Sequence, residues 1–241
     1  MRRVVVIIPA VDEEEAIGRV IRDLPPLASE VIVVDNGSGD HTAQVARAAG
    51  ARVVLEPRRG YGQACLTGIA AAGAADVLAF LDGDYSDYPE QLADVLAPLL
   101  CGEADLVIGS RRRGRRAPDA HPWHAELGTR LCVALMNRLI GTEATDLGPF
   151  RAITGSALHR LGMTDRGSGW TVEMQVKARR HGLRVREVPV DYRPRLGRSK
   201  ISGTLSGSLR AGTRILGTIA RYALRPGRAQ ESVPVTPETD S

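Results

Sequence analysis

Val77-Leu78-Ala79-Phe80-Leu81-Asp82-Gly83-Asp84 joins a short apolar run to two acidic residues. An apolar run of this length is typical of a buried strand. Because side chains alternate along an extended backbone, Asp82 and Asp84 are predicted to project to the same side, where the strand leaves the core. Two such carboxylates repel each other unless a cation lies between them, and Mg²⁺ or Mn²⁺ binds carboxylates together with phosphate oxygens. The segment favours a metal site that holds a diphosphate, although Asp-x-Asp is also common in simple solvated turns.

Strand-like apolar runs alternate with helix-like segments through the first half of the chain. Strands are predicted at 4–8, 31–34, 52–55, 77–81 and 105–109, and helices at 13–24, 42–49, 63–72 and 89–100. This alternation predicts an α/β fold, a three-layer α/β/α sandwich with a mostly parallel central sheet. Ligands of such sheets lie at the carboxyl ends of the strands. The unusual polar segments 9–13, 35–40 and 82–87 fall at those ends.

The second half of the chain has a different pattern. Residues 111–126 form a loop rich in Arg, Pro and His, followed by a helix at 127–139 and a strand at 184–190. We divide the chain into a domain over 1–202, an amphipathic helix over 203–225 and a polar tail over 226–241 that is predicted to be disordered. The helix places apolar residues on one face and arginines on the other, which is compatible with a membrane interface or with packing on its own domain.

Composition narrows the class of protein. The chain has 241 residues, 43% of them hydrophobic, and a formal net charge of +4, which fits one large globular domain. Its basic clusters favour phosphate esters or acidic lipid surfaces as partners, whereas scarce aromatics and the lack of a binding motif disfavour nucleic acid. Three widely spaced cysteines, no secretory signal and no apolar run of spanning length favour the cytoplasm. Whether the chain forms a homo-oligomer stays open.

A second strand end carries the segment Val34-Asp35-Asn36-Gly37-Ser38. Its glycine permits close approach of a ligand to the backbone, and Asn36 could pair with the edge of a base through its amide. A capped turn without a ligand explains the same residues.

Further short segments follow one another along the chain. They are Pro9-Ala10-Val11-Asp12-Glu13, Arg59-Gly60-Tyr61-Gly62, Pro89-Glu90, Gly109-Ser110-Arg111, Thr145-Asp146-Leu147-Gly148-Pro149-Phe150-Arg151, Glu187-Val188-Pro189-Val190 and Arg195-Leu196-Gly197-Arg198-Ser199-Lys200. Together with the two strand ends above, this series resembles the inverting family 2 glycosyltransferases of GT-A fold over about residues 4–205. The most similar members are the dolichyl-phosphate mannose synthase-like and polyprenyl-phosphate glucosyltransferase groups.

The resemblance implies a nucleotide-diphosphate sugar donor, a UDP- or GDP-sugar, and a metal cofactor, Mg²⁺ or Mn²⁺, held by Asp82 and Asp84. The implied donor-binding residues are Pro9, Val11, Glu13, Val34, Asp35, Asn36, Gly62, Asp82, Gly83 and Asp84. The residues implied for phosphate and acceptor are Arg111, Arg195, Ser199 and Lys200. Two positions depart from the family pattern: Asn36 replaces a base-reading Asp, and Ser86 replaces a Gln that often helps to bind the ion.

The acceptor follows from a third departure. Many family members deprotonate a sugar hydroxyl with an Asp in a Glu-Asp motif, where this chain has Thr171. A phosphate acceptor is already ionised near neutral pH and needs little help from a base. We therefore expect a polyprenyl or dolichyl-type phosphate at the cytoplasmic membrane face, with peripheral membrane contact through 203–225. Asp84, Asp146 and Glu173 are the candidate catalytic residues, the last two for orienting the acceptor.

Three alternatives remain at this point. One is a family 2 transferase that acts on a hydroxyl of a small molecule or glycan, which the basic loop and the absent base disfavour. Another is a nucleotidyltransferase, but those enzymes open with a glycine-rich Arg/Lys loop after the first strand. The third is a sugar-nucleotide-binding protein without turnover.

Overall fold

Seven strands and eight helices are present in the part of the chain that the computed structural model describes, residues 2–118, 120, 123–197 and 205–224, without the side chains of 123–125 and 205–211. The strands are β1 (Val4–Ala10), β2 (Glu30–Asp35), β3 (Arg52–Leu55), β4 (Val77–Phe80), β5 (Leu106–Ser110), β6 (Arg151–Thr154) and β7 (Val185–Pro189). The helices are α1 (Ile17–Arg22), α2 (Thr42–Ala48), α3 (Tyr61–Ala72), α4 (Leu92–Leu100), α5 (Trp123–Ile140), α6 (Gly155–Leu161), α7 (Trp170–Arg180) and α8 (Leu205–Leu224).

The strands form one sheet in the order β3-β2-β1-β4-β6-β5-β7. Among these described strands β6 runs antiparallel to both of its neighbours, while the other pairs are parallel. Ala10 pairs with Asp35 across β1 and β2, and β4 pairs with β1 on its other side. The carboxyl ends of β1, β2 and β4 therefore meet at one edge of the sheet, which is where ligands of such sheets lie.

Helices cover both faces of the sheet, so the predicted three-layer α/β/α sandwich is confirmed. One face packs against α1, α2 and α4 through a cluster that includes Ile17 and Leu96. The other face packs against α3, α6 and α7 through a cluster that includes Leu158 and Trp170. Since both faces of the central strands are buried, those strands read as continuous apolar runs rather than alternating ones.

The sequence prediction missed β6, α6 and α7. β6 has four residues and begins with a charged residue, Arg151, so it carries no strand-like apolar run. The helix predicted at 13–24 is shorter and begins at Ile17, because residues 11–16 form a turn in which the Glu13 amide donates to the Thr42 hydroxyl. The segment predicted as a helix at 89–100 is a single 3₁₀ turn, Pro89–Gln91, followed by α4.

The described part of α8 lies against the domain. Ile219 is buried, and Ile215 and Leu216 pack with it against a cluster that α5 and α7 contribute. The sequence allowed this helix either to lie at a membrane interface or to pack on its own domain. The apolar residues described here pack on the domain. None of the described helices is both long enough and apolar enough to cross a membrane. The predicted domain boundary at 202/203 and the tail at 226–241 lie outside the described residues.

Candidate active site

Three segments that are distant in sequence converge at the carboxyl edge of the sheet. Glu13 follows β1, Asp84 follows β4, and Arg195 lies beyond β7. The Arg195 guanidinium contacts both acids, with 2.5 Å between Nη2 and Glu13 Oε1 and 3.3 Å between Nη1 and Asp84 Oδ2. Its buried Nε has no hydrogen-bond acceptor among the described residues. Since a buried donor without a partner is costly, this group is suited to an anionic ligand.

The backbone fixes this convergence. The Leu196 amide donates to the Asp84 carbonyl at 2.9 Å, and the Arg193 amide donates to the Ser86 carbonyl at 3.0 Å. The Arg193 guanidinium lies over the rings of Tyr85, at 3.5 Å, and Tyr88, at 4.1 Å. These cation–π contacts clamp the loop that carries the acid pair. Sequence reasoning missed Arg193, because Tyr85, which it contacts, lies 108 residues earlier in the chain.

The acid pair itself is partly enclosed. Asp84 is buried and its Oδ1 accepts hydrogen bonds from the Ser86 amide and hydroxyl, at 2.9 and 2.6 Å. Burial, followed by the charge of Asp84, raises the pKa of Asp82 to about 7. Two carboxylates that share one site hold a proton strongly, and a divalent cation can take the place of that proton. The donor set therefore fits Mg²⁺ or Mn²⁺.

A third acid, Asp87, lies beside this pair. Its side chain is 1% exposed, and neither of its oxygens has a hydrogen-bond partner among the described residues. Burial and the charge of Asp82 raise the pKa of Asp87 well above its usual range. In the described chain no three His, Cys, Asp or Glu side chains are arranged to hold a metal ion. Phosphate oxygens and water would be available as further ligands of an ion at Asp82 and Asp84.

The loop after β2 gives a different role to Asn36 from the one predicted. The Asn36 Nδ2 donates to the carbonyls of Glu56 and Arg58, at 2.8 and 2.7 Å, and its Oδ1 accepts from the Gly60 amide at 2.8 Å. Both N–H bonds of the amide are thus used by the backbone. Asn36 holds the 56–60 loop, and its N–H groups are not available to a base. Asp35 accepts from the Ser38 amide at 2.8 Å within the same turn.

Replacing Asn36 by aspartate, the residue usual in the resembling family, is expected to destabilise this chain. A carboxylate would face two carbonyls that lose their donor, and each buried unpaired group costs about 1–3 kcal/mol. We expect the free energy of unfolding, measured in urea, to fall by about 2 kcal/mol or more. An N36D variant of unchanged stability but altered nucleotide preference would show instead that Asn36 reads the base.

The other residues predicted to bind the sugar donor differ in burial and in position. Val34 is fully buried in the core, so only its backbone can reach a nucleotide. Gly62 packs closely on the 165–167 loop. A Cβ atom at position 62 would lie 2.1 Å from the Asp165 carbonyl oxygen, so a larger residue would not fit. Pro9 and Val11 are partly exposed at the end of β1, and Gly83 is buried between the two acids. Ser199 and Lys200 lie outside the described residues.

The Glu56 carboxylate was missed, although the strand-end rule points to it, since it directly follows β3. It accepts hydrogen bonds from Arg58, Gln63 and Thr67. These bonds hold the pKa of Glu56 far below its usual range, and the bond from the Arg58 side chain has the largest effect on it. Glu56 therefore ties the loop held by Asn36 to α3.

Arg111 and Asp146 form a buried fork. The Arg111 Nε and Nη2 donate to the two Asp146 oxygens at 2.8 and 2.7 Å, and the Arg111 amide donates as well, at 3.0 Å. Asp146 is 0% exposed and also accepts from the Leu147 amide. Burial opposes ionisation, but the Arg111 charge together with the hydrogen bonds from Arg111 and the Leu147 amide outweighs it and lowers the pKa of Asp146. Asp146 has no exposed surface in the described part of the chain, and its contacts suit it to hold Arg111 in place.

Glu173 is likewise a buried anchor rather than an exposed acid. It is 1% exposed and accepts hydrogen bonds from Thr164, Asp165, Lys177 and Tyr222. It therefore ties α7 to the 164–165 loop and to α8. Thr171, at the position of the expected base, is partly exposed, and its carbonyl accepts from Arg151 at 3.0 Å.

A mostly parallel sheet with an acid pair, an arginine and glycine loops at the carboxyl ends of its strands defines the ligand-binding side of an α/β enzyme. The model of glycosyl transferase family 2 matches residues 5–162. The chain belongs to this family.

Relatives and solved structures agree with this assignment. A glycosyltransferase of Mycobacterium tuberculosis is 40% identical, over 86% of this chain and 93% of the relative. The undecaprenyl-phosphate mannosyltransferase of Micrococcus luteus is 34% identical, over 91% of this chain and 96% of the relative. Glucosyl-3-phosphoglycerate synthase of M. tuberculosis, solved with Mg²⁺ and UDP, is 28% identical with a TM-score of 0.75, over 94% of this chain and 81% of that one. The GT-A fold predicted from the sequence is thereby confirmed.

Proposed function

We propose that this glycosyltransferase moves a hexose from a UDP- or GDP-sugar to a polyprenyl phosphate at the cytoplasmic face of a membrane. The surroundings of the two candidate acids are the main support for a phosphate acceptor. Asp146 and Glu173 are both buried and fully engaged in hydrogen bonds. Since neither of these two acids is free to deprotonate a hydroxyl, an acceptor that is already ionised is favoured. The similarity to an undecaprenyl-phosphate mannosyltransferase over nearly the whole of both chains supports this proposal.

The donor side is proposed to work by charge neutralisation. A nucleoside diphosphate leaves readily only when its developing negative charge is stabilised. A divalent ion bound by Asp82 and Asp84 supplies that stabilisation as a Lewis acid. Arg195 places a guanidinium beside Asp84, with its Nε aimed at no described acceptor, and is positioned to bind the diphosphate. Ser199 and Lys200 are proposed to extend this phosphate site.

The acceptor side is proposed to rely on Arg111. Its guanidinium is held by Asp146 in a two-pronged contact and lies 5.0 Å over the Tyr192 ring. A guanidinium fixed in this way has a fixed direction, which helps to place a phosphate oxygen behind the anomeric carbon. Asp146 is then a positioning residue, and Glu173 secures the helix on which Thr171 lies.

A second candidate is transfer to the hydroxyl of a small phosphorylated molecule. Glucosyl-3-phosphoglycerate synthase, whose structure superposes over 94% of this chain, has such an activity in its name. The engaged state of Asp146 and Glu173 counts against a hydroxyl acceptor here.

An acceptor pair tests the proposal. Undecaprenyl phosphate and undecaprenol, in the same detergent, differ only in the phosphate, and 3-phosphoglycerate represents the second candidate. With UDP-glucose or GDP-mannose and Mn²⁺, release of nucleoside diphosphate is expected to be at least about 100-fold faster with the phosphate than with the alcohol, the range that base catalysis would otherwise supply. Faster turnover of 3-phosphoglycerate would support the second candidate, and release of pyrophosphate would overturn both.

A further inference from the structure

The outer face of α5 exposes leucines that take no part in packing the helix against the domain. Cys132, Val133 and Met136 point inward and are buried against α7 and α8. On the opposite side Leu127 is 60% exposed and Leu131, one turn further, is 53% exposed. Since residues four apart lie next to each other on a helix, these two form one apolar strip.

A groove of about 400 Å³ runs beside this strip. Its lining combines three arginines, Arg112, Arg113 and Arg130, with apolar residues and with the uncharged polar Asn137 and Thr145. Arg130 and Ala134 each follow a residue of the leucine strip by three positions, so the groove and the strip share one edge of α5. A groove that brings cationic and apolar side chains together fits an amphiphile with an anionic head.

The charge of this region is positive. Residues 111–140 contain seven arginines and two acids, a formal charge of +5, and the ion pairs of Arg111, Arg113 and Arg115 with Asp146, Glu187 and Asp191 reduce it to +2. One of the two acids, Glu126, is shared by Arg112, Arg116 and Arg130, at 3.7, 2.6 and 2.9 Å. A single carboxylate cannot neutralise three guanidiniums, so a net positive field remains at the groove.

We propose that the outer face of α5 docks this enzyme onto an anionic lipid bilayer, with Leu127 and Leu131 inserted at the boundary of headgroups and acyl chains. Arg112, Arg113 and Arg130 then lie at the level of the lipid phosphates, where basic residues are attracted. A second copy of the chain is a poorer occupant, because a symmetric contact would bring two surfaces of like charge together. The proposal goes beyond the proposed function and does not depend on which acceptor is used.

Sedimentation with vesicles of defined composition tests this docking. The full chain is expected to bind vesicles of phosphatidylglycerol and phosphatidylcholine, to bind pure phosphatidylcholine weakly, and to lose binding as salt rises. The double variant L127S/L131S is expected to lower the partition coefficient at least about tenfold. The matched control L27S/L100S removes two exposed leucines that precede β2 and β5, at the opposite edge of the sheet, and is expected to bind as the parent chain does.

Two readouts separate docking from folding and from catalysis. Each variant should keep its melting temperature and its affinity for UDP with Mn²⁺, which need no membrane. Failure of the parent chain to bind anionic vesicles, or equal binding by L127S/L131S, would overturn the proposal. So would a concentration-dependent dimer that the same double variant abolishes, since that outcome assigns the strip to a second copy. None of these outcomes decides which acceptor is used.

Discussion

An Asp84→Asn variant is expected to lose at least about 100-fold in kcat while it stays folded. The change removes one of the two negative charges that would hold the ion, and electrostatic stabilisation of a leaving group commonly contributes 10²–10³-fold in rate. The amide oxygen can still accept from the Ser86 amide and hydroxyl, so the local turn is preserved. Steady-state release of nucleoside diphosphate measures the effect, with circular dichroism as the check on folding.

The control for this variant is Asp94→Asn. Asp94 is an exposed acid in the first turn of α4, and its loss should change kcat less than twofold. Turnover by Asp84→Asn within a few-fold of the parent enzyme would contradict the assignment of the acid pair to the metal. A binding protein without turnover predicts no product from either chain.

Removal of the Asp146 carboxylate, as in Asp146→Ala, is expected to destabilise the fold by about 3–5 kcal/mol. This is the range for breaking a buried ion pair, because the surviving Arg111 is left charged and unpaired in the interior. Three Arg111 donors and the Leu147 amide lose their acceptor at the same time. The free energy of unfolding in urea measures the loss.

The chain offers a matched control on its surface. Arg184 donates to Asp105 from its amide, Nε and Nη2, the same three groups that Arg111 uses, but this fork is exposed. Exposed pairs contribute little, since water already solvates both partners. Asp105→Ala should therefore cost several-fold less stability than Asp146→Ala. Equal losses from the two variants would mean that burial does not set the strength of the Arg111–Asp146 pair.

The layered fold was predictable because its signals are local. The strand at 52–55 is found with the predicted bounds, and the other predicted strands differ by one or two residues at an end. Strand-like apolar runs that alternate with helical segments predict a mostly parallel sheet. Such a sheet places the carboxyl ends of β1, β2 and β4 together. The position of the site at this edge follows from that rule, before any side-chain contact is known.

The partners of the site residues were not predictable, because they come from distant parts of the chain. Asn36 looked free to bind a base, but its amide is used by a loop about twenty residues away. Asp146 and Arg111 are thirty-five residues apart, and neither the spacing nor the residue types show that they pair. The apolar residues of α8 had two equivalent uses in the sequence, and for Ile215, Leu216 and Ile219 the packing against α5 and α7 distinguishes them.

The proposed reaction requires that Asp82 and Asp84 hold a divalent ion against the donor diphosphate. Anomalous diffraction at the manganese edge, from crystals grown with UDP and Mn²⁺, shows whether they do. We expect one manganese peak about 2 Å from a carboxylate oxygen of this pair and from oxygens of the diphosphate. A diphosphate bound at this edge of the sheet without manganese between it and these carboxylates, or manganese bound elsewhere, would contradict it.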